Sequence, residues 1–345
     1  MTEADLRDGG LDPEIDQALV EGHADPATYE TFNNWFFDGE RGIGLNIYLL
    51  YVRGGLARER AALFLPDGRT CFALTEGHYS RGDQPGGSSL SLRRVEPFRR
   101  WTYHWHGAAY AIQRADELKG LVTDSTPVRI ETDLTVDTVT EPWLIPLSSG
   151  PATNVGAARV KGEFLGKYEQ IARATGIIHV DGKNLDFDGV GLRAHVRGPR
   201  DVTGMGSHAW LCGLFPSGKG FGVKQLFDEQ GAAYFSEAYL SEGSHIRHVS
   251  IRSVPPISRD NPARRYAFEL DDGGEIVRIE GEDCQTTWIP IGSWRQRAGN
   301  SLQQGSGLFN MGHGLVREAP RLMCQGTARF FWDGETGYGM SEFSG

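Results

Sequence analysis

Val128-Arg129-Ile130-Glu131-Thr132-Asp133-Leu134-Thr135-Val136-Asp137 alternates apolar and polar side chains almost without a break. A period of two puts Val128, Ile130, Leu134 and Val136 on one face and the charges on the other, which describes a half-buried strand. The charged face meets either solvent or a polar lumen. The same reading extends outward in both directions, because hairpin signals recur. Leu63-Phe64-Leu65 and Cys71-Phe72-Ala73-Leu74 flank Pro66-Asp67-Gly68. Residues 177–180 and 185–187 flank Asp181-Gly182-Lys183-Asn184, and residues 266–270 and 276–279 flank Asp271 to Gly274. Each turn is rich in residues that tolerate positive φ. Successive hairpins without long helices between them predict antiparallel meanders, hence an all-β chain of barrels or sandwiches.

A three-fold echo supports two related β units. Phe36-Phe37-Asp38-Gly39-Glu40-Arg41-Gly42-Ile43-Gly44 near the start resembles 331–339, Phe331-Trp332-Asp333-Gly334-Glu335-Thr336-Gly337-Tyr338-Gly339, at the end. A looser copy, 215–222, opens the second half. At 345 residues the chain exceeds one ordinary core, so two domains are expected. The stretch 146–162, rich in Ser, Gly, Ala and Pro, is the expected boundary. It gives an N-terminal extension over 1–30, a first β-domain over 31–150 and a second over 163–345. One short helix is expected in the extension, with Asp12 as N-cap, Pro13 in the first position, and Ile15, Leu19 and Val20 on one face. Two polar stretches, 81–89 and 293–306, are expected as long loops.

Composition narrows the function. The 46 glycines are dispersed, as a turn-rich chain requires. A formal charge of −10 argues against nucleic-acid binding, which needs basic surface. No run of 18 apolar residues encodes a membrane span. Four cysteines far apart, with no Cys-x-x-Cys, point away from structural zinc and toward free thiols in a reducing, cytoplasmic setting. The glycine pairs at 42–44, 189–191 and 220–222 lie in strand context with no following helix, so no nucleotide loop and no cofactor is expected. His104 and His106 in Trp101-Thr102-Tyr103-His104-Trp105-His106 share a strand face, but no third ligand accompanies them, and a metal site is not expected.

The segment Gly189-Val190-Gly191-Leu192-Arg193-Ala194-His195-Val196-Arg197-Gly198-Pro199-Arg200-Asp201 carries the chemistry. Alternation gathers Arg193, His195 and Arg197 on one face, where three cation-capable groups need acids such as Glu169 or Asp201. His195 is then a candidate proton donor or acceptor. An Arg/Asp network fixing the Gly198-Pro199 turn is the alternative.

Together with Lys167-Tyr168-Glu169-Gln170 before it, this segment resembles the second domain of the hydroxyneurosporene synthase (carotenoid 1,2-hydratase)-like proteins, relatives of the tocopherol cyclase-like group. The opening Trp35 to Gly44 and the closing 328–339 resemble the same family. The resemblance implies a tandem of two lipocalin-like antiparallel β-barrels, or a barrel plus a sandwich, with a short N-terminal helix. It implies an enzyme that hydrates, dehydrates, isomerises or cyclises a hydrophobic terpenoid-, steroid- or polyketide-like molecule. A non-catalytic carrier of a hydrophobic ligand is the competing function. The expected catalytic residues are His195, Asp201 and Glu169, and the expected substrate contacts are Arg193, Arg197, Arg200, Trp35, Tyr168, Trp210 and Trp332. The family's hydratase chemistry protonates an alkene with a carboxyl kept neutral by desolvation. Here position 194 is Ala where many relatives carry Asp, which leaves three readings: Glu169 or Asp201 replaces it, the reaction needs no alkene protonation, or the protein only binds.

Overall fold

The computed structural model describes residues 9–19, 28–52, 56–78, 82–117, 125–145, 158–160, 163–199, 205–255, 265–291 and 321–344. Strands dominate them. β1 (Thr28–Asp38), β2 (Ile43–Val52), β3 (Leu56–Phe64) and β4 (Arg69–His78) form an antiparallel meander. β5 (Leu90–Glu96) is a side strand on β6 (Arg100–Gln113), and a single helical turn, α1 (Arg114–Glu117), follows β6. β7 (Thr126–Thr138) contains the alternating stretch, and its apolar face is buried as expected. Short strands β8 (Trp143–Ile145) and β9 (Ala158–Val160) edge the long β10 (Glu163–Val180), which turns back into β11 (Lys183–Pro199).

Ring closure decides where the sheets divide. β10 pairs with β7, and β11 pairs with both β10 and β1, so β1-β2-β3-β4-β6-β7-β10-β11 closes into an eight-stranded barrel. The second barrel is β12 (Met205–Leu214), β13 (Lys219–Asp228), β14 (Ala233–Glu242), β15 (His245–Ser253), β16 (Arg265–Asp272), β17 (Glu275–Ile291), β18 (Arg321–Trp332) and β19 (Glu335–Ser344), closed by β12 against β19. The boundary expected at 146–162 therefore moves. Residues 163–199 complete the first barrel rather than open the second, because β1 and β7 would otherwise present bare edges. The sheets part between Pro199 and Met205.

All six hairpins expected from turn chemistry are present. Their equivalence differs from the sequence echo, however. The barrels open on β1–β2 and β12–β13, and close on β10–β11 and β18–β19. Both closing turns use an Asp-Gly pair with positive φ, Asp181 (52°) with Gly182 (72°) and Asp333 (49°) with Gly334 (77°). That is the backbone twist a two-residue hairpin loop needs.

Each barrel lumen is an apolar core. The first holds Leu45, Ile47, Leu63, Trp101, Tyr103, Trp105, Leu134 and their neighbours; the second holds Leu211, Phe221, Phe268 and Phe330. A third cluster lies between the barrels and joins Trp35, Phe64, Leu192 and Ala194 of the first to Trp210, Cys212 and Met340 of the second. Gly191 allows β11 and β1 to approach closely, since a Cβ there would stand 1.9 Å from the Trp35 carbonyl oxygen.

The N-terminal helix is a single 3-10 turn, Pro13–Asp16, capped by Asp12, whose carboxylate accepts the Glu14 N–H at 3.0 Å. It is shorter than expected: Leu19 lies beyond it, and Val20 is outside the described residues. Its role is to plug the first barrel, with Ala18 in the lumenal core and Ile15 packed near Phe98 and Tyr168. Residues 82–89, expected as a loose loop, are tied down. The Glu59 carboxylate accepts the Ser89 and Leu90 N–H groups at 2.8 and 2.9 Å.

Candidate functional site

Two buried polar clusters arise from one geometric fact. On β10 and β11 successive side chains alternate between the first barrel's lumen and the face toward the second barrel. Tyr168, Arg193, His195 and Arg197 point inward; Lys167, Glu169 and Ala194 point to the neighbouring barrel.

The lumenal cluster is closed and internally paired. Arg193 bonds the Asp16 carboxylate of the plug and donates to the Tyr168 hydroxyl and Gln170 Oε1, each at 3.2 Å. Its guanidinium lies 4.5 Å from the Trp101 ring centroid. Tyr168 also bonds Asp16, which accepts the Phe98 N–H at 2.7 Å. His195 stacks on Phe32 at 4.1 Å, with Nδ1 3.2 Å from the Tyr168 hydroxyl and Nε2 2.7 Å from Glu30 Oε1. Arg197 donates to that same oxygen at 2.8 and 3.1 Å, while Glu30 Oε2 accepts the Leu19 N–H at 2.9 Å. Burial opposes the charge on Glu30, but Arg197 and the His195 bond outweigh it and hold its pKa at about 2. Burial lowers the His195 pKa against the pull of Glu30. The pair is therefore a carboxylate and a neutral imidazole whose Nε2–H points at Glu30.

The inter-barrel cluster is arranged differently. Trp210 Nε1 donates to Glu169 Oε2 at 3.0 Å, and the other Glu169 oxygen pairs with Lys167. The Trp210 ring carries Lys167 and Lys224 ammonium groups at 3.9 and 4.3 Å from its centroid. One register row away, His208 Nε2 stands 2.7 Å from Glu342 Oε1, and His208 Nδ1 stands 2.6 Å from Ser344 Oγ. Gln325 bonds the second Glu342 oxygen. Burial opposes the charge on Glu342, yet the His208 bond, Lys224 and Gln325 keep its pKa at about 2. A carboxylate held ionised only accepts, so the His208 Nε2 carries a hydrogen toward Glu342, and Nδ1 shares a hydrogen bond with the Ser344 hydroxyl. Nucleophile or acid, base and orienting carboxylate thus stand in line. The rim of this face is half-buried at Tyr48, Arg60 and Lys224.

The family model described as a domain of unknown function, DUF7064, matches residues 12–345, nearly the whole chain. The chain belongs to the DUF7064 family. Among curated proteins no sequence matches it. A crystal structure of an AttH-like protein from Nitrosomonas europaea superposes with a TM-score of 0.58 at 11% identity, covering 92% of each chain. A crystal structure of CghA gives 0.50 at 12% identity, covering 92% of this chain and 88% of that one. At such identities the likeness is one of fold, a tandem of lipocalin-like barrels, which is the level at which the family resemblance in the sequence holds.

The DUF7064 chain divides the residues expected from sequence into separate places. His195, Arg193, Arg197 and Tyr168 share the plugged lumen. Glu169, Trp35 and Trp210 meet between the barrels, beside Ala194. Trp332 is remote from both, packed on Phe215 and lining a recess of about 200 Å³ at the second barrel with Lys219, Arg247 and Asp272. Arg200 and Asp201 lie outside the described residues. Glu169 and His195, expected to act together, face opposite sides of the barrel wall, because they occupy positions of opposite parity on paired strands. The alkene-protonating reading called for a carboxyl kept neutral; Glu30 and Glu342 are both held ionised instead.

Sequence reading missed Asp16, Glu30, His208, Glu342, Ser344 and Arg60. His208 had a usable signal, since it shares a strand face with Trp210 two residues on. Glu342 and Ser344 share a face in the same way on the last strand, but only barrel closure brings them to His208. Among the described residues no group of three metal-ligating side chains occurs, and His104 and His106 project outward next to Asp133 and Glu131.

Proposed function

We propose that the protein is an enzyme that moves a proton on a hydrophobic small molecule held between its two barrels. Isomerisation, dehydration, hydration and cyclisation are the reactions of this class. The observation that carries the reading is the Ser344–His208–Glu342 line, set beside the Lys167–Glu169 pair and the Trp210 ring on one buried face between the barrels. Glu342 orients His208 and stabilises the imidazolium that forms when Nδ1 takes the Ser344 proton. The Ser344 oxygen in turn takes a proton from the substrate carbon, and the return path delivers it elsewhere on the molecule. The Lys167 and Lys224 ammonium groups over the Trp210 ring supply positive charge on the same face for the electron-rich intermediate that loss of the carbon proton leaves. The lumenal cluster, plugged and paired with Asp16, serves in this reading to hold the N-terminal segment in place.

Deuterium incorporation tests it. The protein is incubated in D2O with a panel of terpenoid, steroid and polyketide ketones, and carbon-bound deuterium is followed by mass spectrometry. Incorporation above the buffer rate, lost by roughly 10²–10⁴ in His208→Gln and Glu342→Gln with folding retained, is the expected result. Binding of panel members without incorporation would instead identify a carrier.

A further inference from the structure

The cations on the inter-barrel face differ in how closely an acid approaches them. Lys167 pairs with Glu169, Arg58 pairs with Glu76 at 2.8 Å, and Lys224 contributes to the field that holds Glu342 ionised. Arg60, two residues from Arg58 on the same face of β3, has no ion-pair partner among the described residues. Its guanidinium carbon lies over the Tyr48 ring, 4.7 Å from the centroid, and its buried Nε has no hydrogen-bond partner. Burial accordingly pushes the Arg60 pKa down, against weak support from Tyr48 and Glu342. A guanidinium does not deprotonate at ordinary pH, so the cost of its burial persists until an anion arrives.

Register shows what else that anion would meet. Arg60, Tyr48, Asn33, Ala194 and Glu169 form one row across β3, β2, β1, β11 and β10. Ala194 is the small member at the apolar end, beside Trp35 and Trp210. The Asn33 side-chain oxygen accepts from Asn46 at 3.2 Å, which turns its NH2 group to the other side of the amide. The row thus grades from a planar cation, through a phenol ring and an amide donor, to an apolar floor.

We propose that this face binds an amphipathic anion, a carboxylate on an otherwise hydrophobic body, with Arg60 as its counter-ion and Asn33 as a second donor. The forked guanidinium matches a carboxylate in shape as well as charge, and the body lies toward Ala194 and Trp210. The proposal rests on the reading of the inter-barrel face as the substrate site and adds the chemical class of the substrate.

Calorimetric titration with octanoate and with 1-octanol, which share a body and differ in charge, tests both levels separately. Octanoate is expected to bind the full-length protein at least about tenfold tighter than octanol. Arg60→Gln should bring the two affinities together by weakening octanoate alone, and Arg60→Lys should retain part of the preference. Equal affinities in the unchanged protein, or a preference that survives Arg60→Gln, overturn the anion proposal. Octanol binding that Trp210→Leu abolishes keeps the inter-barrel site standing in either event. Failure of octanol to bind, or binding indifferent to Trp210→Leu, overturns the site and the anion proposal together. Melting curves of each variant confirm that folded proteins are being compared.

Discussion

The two buried polar clusters lie on opposite faces of the same strands and solve opposite problems. In the lumen, Arg193, Arg197, Asp16 and Glu30 form two ion pairs, and Tyr168, Gln170, Leu19 and Phe98 take up further valences, with Arg193 Nε left without a hydrogen-bond partner. Between the barrels the rim is half-buried, and Arg60 has no ion-pair partner among the described residues, with only the field of Glu342 in its favour. A network in which each cation meets an acid inside a plugged apolar barrel fixes a conformation. A buried charge left unpaired beside aromatic rings invites a ligand. On the proposed function, the difference separates polar groups that hold the fold from those that meet the substrate, and the strand motif around His195 singled out the former.

The strongest test of that separation is Arg193→Met. It leaves Asp16 buried without its cation and should cost about 3–5 kcal/mol in urea unfolding. Asp16→Asn combined with Arg193→Met should recover part of the loss, because the pair couples. The corresponding change between the barrels, Arg60→Met, should be neutral or stabilising by up to about 1 kcal/mol, since it removes a partly buried, unpaired charge. A large loss at Arg60 with none at Arg193 would invert the comparison.

Acid should reveal both clusters, with a defined sign. Glu30 and Glu342 are depressed from 4.5 to about 2, so the stability they contribute is complete above 4.5 and is lost as pH falls toward 2. His195 is depressed below 6.5, so the unfolded chain takes up its proton first and stability begins to decline below 6.5. The urea midpoint should therefore fall from about pH 6.5 downward and more steeply below 4.5. In Glu342→Gln the steep part should be reduced while the decline beginning near 6.5 remains. A midpoint flat down to pH 3 would show that neither carboxylate is held as described. The smallest effect is expected at His104, exposed on the outer wall of the first barrel, where His104→Ala should stay within about 0.5 kcal/mol.

Much of the architecture was legible in the chain because it is local. Alternation in 128–137 and the Asp-Gly turns depend on neighbours in sequence, and all six expected hairpins form. The division between barrels was not legible, since composition marks where a chain is loose and not which edges a strand must cover. Residues 163–199 belong to the first barrel because β1 and β7 need partners, a fact about edges far apart in sequence.

The candidate site follows the same rule. The alternation that put Arg193, His195 and Arg197 on one face was correct, and so was their need for acids. Their acids are Asp16 and Glu30, from the plug and from the facing strand, rather than Glu169. Sequence alone determined the all-β class, the hairpins and which side chains share a face. Tertiary structure decided which face looks into a lumen and which into the neighbouring barrel, and so which histidine lies in the plugged lumen and which between the barrels. The physical reason is that a strand's two faces are fixed by its own dihedral angles, whereas what each face meets is set by ring closure and by the packing of one barrel on the other.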